Sequence, residues 1–323
     1  MKLDLEPTDL VGAAAAIDAA GRAGLFQALL DGDGSSEEAL RERLGVHPRG
    51  LAVVLDVLVA VGLVARDEDG FLRPAPALAA VDRRMPGAVA LAGALFAGAP
   101  ELLRSGAPVV VMDGDPAQRA EAYRRSVGGL AGLFQRAAEA FAEALGPVAG
   151  GVLDVGCGSG VWSLAVAARN PSTRVTGLDL EGVTDVFLEH CREAGLAGRA
   201  RAWTGSAHTY AFPDDAFELA LIANVLRLEP EAQAAALVRR VAQAVRPGGR
   251  LVVLDALSSG TPEREVSRAV YGLHLALRTT AGAVHPPSKV RGWLAAAGLT
   301  SIEALDFGVH PGAVAALVGH RPL

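Results

Sequence analysis

The stretch that most limits what this chain can fold into is "GGVLDVGCGSGVWSLAVAARN", residues 150–170. A run of β-formers ends at Val155, glycines follow at alternate positions 156, 158 and 160, and a helical pattern begins at once. A strand feeding a helix through so short a turn is the opening of a βα unit. The rest of the C-terminal half repeats the theme. "TRVTGLDL", "ARAWTGS", "FELALIANVL" and "GRLVVLDAL" read as strands, separated by helical stretches such as "EGVTDVFLEHCREAGL" and "EAQAAALVRRVAQAVRPGG". Near-continuous apolar strands alternating with helices mean a parallel sheet covered on both faces. The expected fold is therefore α/β, a Rossmann-like doubly wound, mostly parallel sheet.

In such sheets a ligand sits beyond the carboxyl ends of the strands, where the strand order reverses. A bare glycine turn there lets a ligand approach the backbone. The dinucleotide fingerprint needs its third glycine at position 161, where Val161 stands, and a P-loop needs a lysine that is missing. What remains is D-x-G-x-G-x-G, with Asp154 ahead of Gly156, Gly158 and Gly160. An acid in that place suits a cation better than a pyrophosphate. Asp179, at the end of the second strand, is placed to take a ribose diol. A cationic ligand carrying ribose and adenine fits S-adenosyl-L-methionine.

Residues 1–105 read differently. Helical patterns lead to "HPRGLAVVLDVLVAVGLV", and "VARDEDGFLRPAP" then alternates around an Asp69–Gly70 turn. Ser35 and Glu38 have capping-box spacing at the start of "SEEALRERLGV". Three helices and a hairpin make a winged-helix pattern. This half holds ten Lys and Arg against fifteen Asp and Glu, and its third helix is almost wholly apolar. Such a helix wants a core or a protein partner rather than phosphates, so a dimerisation domain is expected and nucleic acid is not. The whole-chain charge of −6 agrees. No signal peptide or membrane-spanning stretch is read, and the two cysteines, Cys157 and Cys191, lack metal-ligand spacing. A cytoplasmic protein with no membrane partner and no metal site is expected. Residues 106–148 read as a helical linker, and 149–323 as the catalytic domain.

The motifs "VLDVGCGSG", "VTGLDL", "LALIANVLRLEPE" and "VRPGGRLVVLD", in this order behind a winged-helix half, resemble the small-molecule O-methyltransferase family of class I S-adenosylmethionine-dependent methyltransferases. The resemblance covers nearly the whole chain. It implies a homodimer methylating a small aromatic or polyketide-like metabolite, at oxygen first and carbon second. It also implies a cofactor site in which Gly156, Gly158 and Gly160 lie against the methionine part and Asp154 near its ammonium. Asp179 would take the ribose and Leu180 would lie beside the adenine. Ser206 stands where the family carries an acid facing the adenine, and Asn224, at the end of the fourth strand, is counted with this site.

The chain departs from the family where the chemistry is done. Arg227 occupies the place of the usual histidine base, and arginine has no acceptor and does not deprotonate. Asp255 matches one partner acid, while Val284 replaces the other. Arg227 either binds an acidic or ionised group of the substrate or braces the strand end through Asp255 or Glu229. His274 and His285 are the alternative bases. His208, Tyr271 and Trp162 are read as solvated, capped or packing residues. Loss of the histidine also admits a non-methylating reaction on the same frame, such as hydroxylation, decarboxylation or a pericyclic step. A winged-helix regulator with a degenerate ligand domain is the third reading.

Overall fold

A computed structural model describes residues 6–31, 34–76, 78–79, 88–257, 259–310 and 313–323. The chain divides into two compact units, residues 1–100 and 101–323.

In the first unit α1 (Pro7–Arg22), α2 (Leu25–Leu30), α3 (Glu37–Leu44) and α4 (Pro48–Ala60) precede β1 (Val64–Arg66) and β2 (Leu72–Pro74). The hairpin turns where expected, because the Asp67 carboxylate accepts the amides of Asp69 and Phe71 at 3.2 and 2.8 Å. This is the winged-helix pattern, followed by α5 (Ala88–Phe96). Leu29, Leu40, Leu55, Leu58 and Leu72 are fully buried in its core. The expected cap on α3 shifts by one residue. Both backbone groups of Ser35 pair with Leu72, so Ser36 becomes the cap and accepts from Ala39 N at 3.2 Å.

The second unit carries α6 (Ala99–Ser105), which begins at the division, and the long α7 (Pro116–Leu145). Asp115 caps α7 by accepting from Ala117 N and Gln118 N. The sheet then follows as β3 (Gly151–Val155), α8 (Val161–Ala168), β4 (Arg174–Asp179), α9 (Val183–Glu193), β5 (Ala200–Thr204), β6 (Phe217–Ala223), α10 (Glu231–Ala244) and β7 (Val245–Asp255). It is completed by α11 (Pro262–Ala276), α12 (Pro287–Ala296), β8 (Thr300–Leu305) and β9 (Ala315–His320).

The strand order is β5-β4-β3-β6-β7-β9-β8. Five strands are parallel, and β9 runs antiparallel between β7 and β8. That closing hairpin, "TSIEAL" with "AALVGH", is a strand pair the sequence reading did not single out. Alternation along β3 sends Leu153 and Val155 to a core under α10 and α12. Val152 goes to the opposite face with α7 and α8, where Phe141, Phe134, Trp162 and Phe307 pack at tilted and edge-on angles. Each fully buried ring of this kind contributes about 1.5–3 kcal/mol. Trp162 is thus a core residue. Residues 106–148, read as a linker, lie within the second unit, and the C-terminal turns of α7 form much of its core.

Candidate active site

The order of the strands reverses at β3, whose neighbours β4 and β6 follow it in opposite directions, so the crevice opens at their carboxyl ends. The glycine turn sits there. Gly156 and Gly160 have φ of 70° and 74°, which side-chain-bearing residues rarely adopt. A Cβ on Gly156 would stand 2.5 Å from Val225 Cγ2, and one on Gly160 would stand 2.7 Å from the Phe187 ring. These glycines are required first by the protein's own packing. Gly158, by contrast, meets only Val127 of α7, at 3.5 Å.

Asp179 ties the turn to β4. Its carboxylate accepts from Gly158 N at 2.8 Å and from Leu180 N at 2.7 Å, one bond to each oxygen. A carboxylate oxygen has two acceptor sites, so each retains one for a hydroxyl. Burial raises this carboxyl's pKa, against the pull of the two amides. Asp154 lies beneath the turn, 1% exposed, with Oδ2 accepting from Ser163 Oγ at 2.5 Å and Oδ1 without a hydrogen bond. Burial pushes its carboxyl up to about 7, with Asp179 adding to the rise. Asn224 takes a left-handed conformation, φ 61°, at the end of β6. Its N–H is spent on Leu254 O at 2.7 Å, and its buried Oδ1 has no partner. Ser206 is half-buried and its Oγ accepts from His208 N at 3.3 Å within its own turn. Two orphaned buried oxygens and a half-satisfied carboxylate around a glycine turn fit a ligand with an ammonium and a diol.

The candidate catalytic positions lie after β6, at the end of β7, on α11 and just before α12. Arg227 lies in a short turn of 3-10 helix after β6 with its side chain 7% exposed. Its guanidinium stacks on Tyr271 at 4.7 Å. Asp255 Oδ1 is 3.7 Å from Nε, within ion-pair range and too far for a hydrogen bond. The Asp255 oxygens instead accept from Ala256 N at 2.8 Å and Arg227 N at 3.2 Å. Arg227 Nε and Nη1 have no hydrogen-bond partner. Leaving such donors buried and unsatisfied costs about 1–3 kcal/mol each. Glu229 does not join Arg227; it pairs with Arg119 at 2.6 Å and with His208 at 3.2 Å, which hold its carboxyl below the usual range.

The two candidate bases fare differently from their sequence expectation. His285 is buried and its Nε2 lies 3.0 Å from Leu226 O and 3.1 Å from Glu229 O. Two carbonyls around one nitrogen require it to carry the proton, so His285 pins the turn after β6 and is no base through that atom. His274 is half-buried beside Tyr271, at 5.7 Å between ring centres. Burial, then the charges of Arg278 and Arg227, push its pKa down to about 4. It is neutral at physiological pH and only weakly basic.

Sequence reasoning passed over Arg119, Tyr123 and Arg278. Arg119, Tyr123 and Val127 fall one turn apart on α7, a spacing that marks one helix face. That face spans from Glu229 to the glycine turn. Tyr123 is half-buried; burial raises the pKa of its hydroxyl, on which Arg119, Arg278, Arg227 and Tyr271 also act. Arg278 donates to Tyr271 Oη at 2.7 Å.

Residues 152–249 match a family described as a methyltransferase domain. Over 292 residues the chain is 28% identical to the tetracenomycin polyketide synthesis 8-O-methyl transferase of Streptomyces glaucescens, covering 82% of this chain and 81% of that protein. Among solved structures, the S-adenosylmethionine-dependent methyltransferase SibL in its apo form is similar with a TM-score of 0.72 at 25% identity, over 97% of this chain and 96% of that one. Human N-acetylserotonin methyltransferase, solved with the cofactor, has a TM-score of 0.70 at 16% identity over the full length of both chains.

Proposed function

Since this chain is a class I S-adenosylmethionine-dependent methyltransferase of the small-molecule O-methyltransferase type, we propose that it methylates an oxygen of an aromatic or polyketide-like natural-product intermediate. The observation that carries this reading is the set of acceptors around the glycine turn. Asp179 keeps one acceptor site on each oxygen for the ribose, while Asp154 Oδ1 and Asn224 Oδ1 remain for the amino-acid end. The bound cofactor supplies an electrophilic methyl group on a sulfonium.

The protein's own part is positioning. Arg227 has no acceptor, His285 Nε2 is committed to carbonyls, and Glu229 is held by Arg119 and His208. His274, near pKa 4, withdraws protons poorly from a phenol. Rate acceleration then comes from holding the acceptor oxygen in line, with Tyr271 and Arg227 fixing a flat substrate. We further propose a cytoplasmic homodimer. In support, both cysteines are free and buried, and no helix among the described residues is long and apolar enough to cross a membrane. The first unit also leaves Leu10, Val11, Val53 and Leu91 more than half exposed.

Incubation with methyl-labelled cofactor and a panel of phenolic aromatics tests the reading by mass spectrometry. A product carrying one labelled methyl on oxygen supports it. A labelled methyl on carbon, or an altered product without label, points to the alternatives that loss of the histidine admits.

A further inference from the structure

Three arginines converge at the inner end of α7, and their charges are unequally matched. Arg119 is neutralised by Glu229 at 2.6 Å. Arg227 has Asp255 at 3.7 Å, but that carboxylate is already bonded to two backbone amides. Arg278 is half-buried and has no carboxylate within 4.0 Å among the described residues. Its Nη2 donates to Tyr271 Oη, its Nη1 faces Met112 Sδ at 3.9 Å, and its Nε has no partner. Both cations lie against Tyr271, whose ring centre is 4.7 Å from the Arg227 guanidinium carbon and 5.9 Å from that of Arg278.

Among the described residues, the nearby carboxylate of Asp113 is taken up by Thr280 and Ala281, and the remaining titratable groups acting here add no negative charge. His274 is kept neutral, and Tyr123 and Tyr271 are phenols. Arg278 is therefore left with no ion-pair partner among the described residues, and three guanidinium nitrogens of the two arginines lack acceptors. Arginine tolerates burial when its fork meets a planar anion, which supplies acceptors and charge together.

We propose that Arg227 and Arg278, both held against Tyr271, form an anion site, and that the substrate binds as a planar aromatic carrying a delocalised oxyanion. The proposal rests on the methyltransferase reading of the adjoining cleft and adds a substrate class to it. The oxyanion is either an aromatic carboxylate or an ionised acidic enol or phenol, and each presents anionic oxygen in the ring plane to a guanidinium. The site also accounts for the replacement of the family's histidine. Where the oxyanion is itself the methyl acceptor, it attacks the methyl group with no proton left for a base to remove.

The test is binding at neutral pH in the presence of S-adenosylhomocysteine, read by calorimetry. Salicylate is compared with salicylamide for the carboxylate arm, and lawsone with its methyl ether for the acidic enol arm. At least one anion should bind about tenfold or more tightly than its neutral counterpart, the usual gain from a charge-assisted pair. The arm that shows the preference identifies the source of the oxyanion. Arg278→Gln and Arg227→Gln should each abolish most of that preference while S-adenosylhomocysteine still binds. Should Arg227→Gln fail to fold, the less buried Arg278→Gln alone decides. No preference in either arm, or a preference that survives the substitutions, overturns the proposal. Failure of S-adenosylhomocysteine itself to bind would instead count against the methyltransferase reading.

Discussion

With Asp154 facing the cofactor's ammonium, as proposed above, cofactor binding is expected to depend on pH. Burial pushes the Asp154 carboxyl up to about 7, with the charge of Asp179 adding to the rise. A bound ammonium group favours the carboxylate, so binding below that pH expels a proton. The sign follows: affinity for S-adenosylhomocysteine is weak in acid, rises as pH passes through 7, and is level above it. Each pH unit below 7 costs about tenfold, so affinity should change about a hundredfold from about pH 5 to about pH 8. Asp179, also raised by burial, acts in the same direction. Asp154→Asn keeps an acceptor for Ser163 and carries no charge. It should bind at all pH values about as weakly as the unmodified protein does in acid. Without ligand the raised pKa disfavours the folded state as pH climbs from 3.8 toward 7. Asp154→Asn should therefore be the more stable protein at about pH 8, by up to about 4 kcal/mol. Calorimetry in buffers of different ionisation enthalpy counts the released proton directly. A level pH profile in the unmodified protein, or an undiminished slope in Asp154→Asn, would refute this account of the buried acid.

Three further outcomes are expected. Asp179→Ala removes both the ribose acceptors and the tie to Gly158 N, so S-adenosylhomocysteine affinity should fall at least tenfold, since each charge-assisted bond is worth about 1.5–3 kcal/mol; unchanged calorimetric affinity would mean the ribose binds elsewhere. The pH–rate profile should show no inflection from His274 between about pH 6 and pH 8, because its lowered pKa leaves it neutral until about pH 4, and any inflection there should survive in His274→Ala. Light scattering at micromolar concentration should report a dimer, as an interface of roughly 2,000 Å² or more would give, and Val53→Glu with Leu91→Glu should shift it to monomer.

Much of the second unit was legible because strand and glycine patterns are local. The acid at 154, the turn at 156–160 and the acid at 179 are fixed by the chemistry of one βα unit and its neighbour. The closing hairpin was less so, since β8 is mostly exposed and lacks the continuous apolar run of a buried parallel strand. Side-chain roles depended on partners far away in sequence. His285 looked like a base beside two prolines, yet its imidazole is fixed by carbonyls 56 and 59 residues distant. Arg227 was open to a brace or a ligand role, and neither its 3.7 Å approach to Asp255 nor its orphaned nitrogens could be read from the sequence. Arg119 and Tyr123 went unnoticed because a long helix between two domains reads as a connection. Nothing in its sequence shows that one of its faces lies along the cleft.

That helix has a practical consequence for recombining relatives. Asp113, just ahead of α7, accepts hydrogen bonds from Thr280 N, Thr280 Oγ and Ala281 N, fastening the approach to the helix onto the segment after Arg278. A chimera joined near residue 148, at the first strand, would import a foreign Asp113, Arg119 and Tyr123 against the native Arg227 and Arg278. Joined near residue 100, it would keep all of them together. The exchangeable module therefore ends well before the sheet begins, and a library crossed at that earlier point should vary assembly while leaving substrate choice intact.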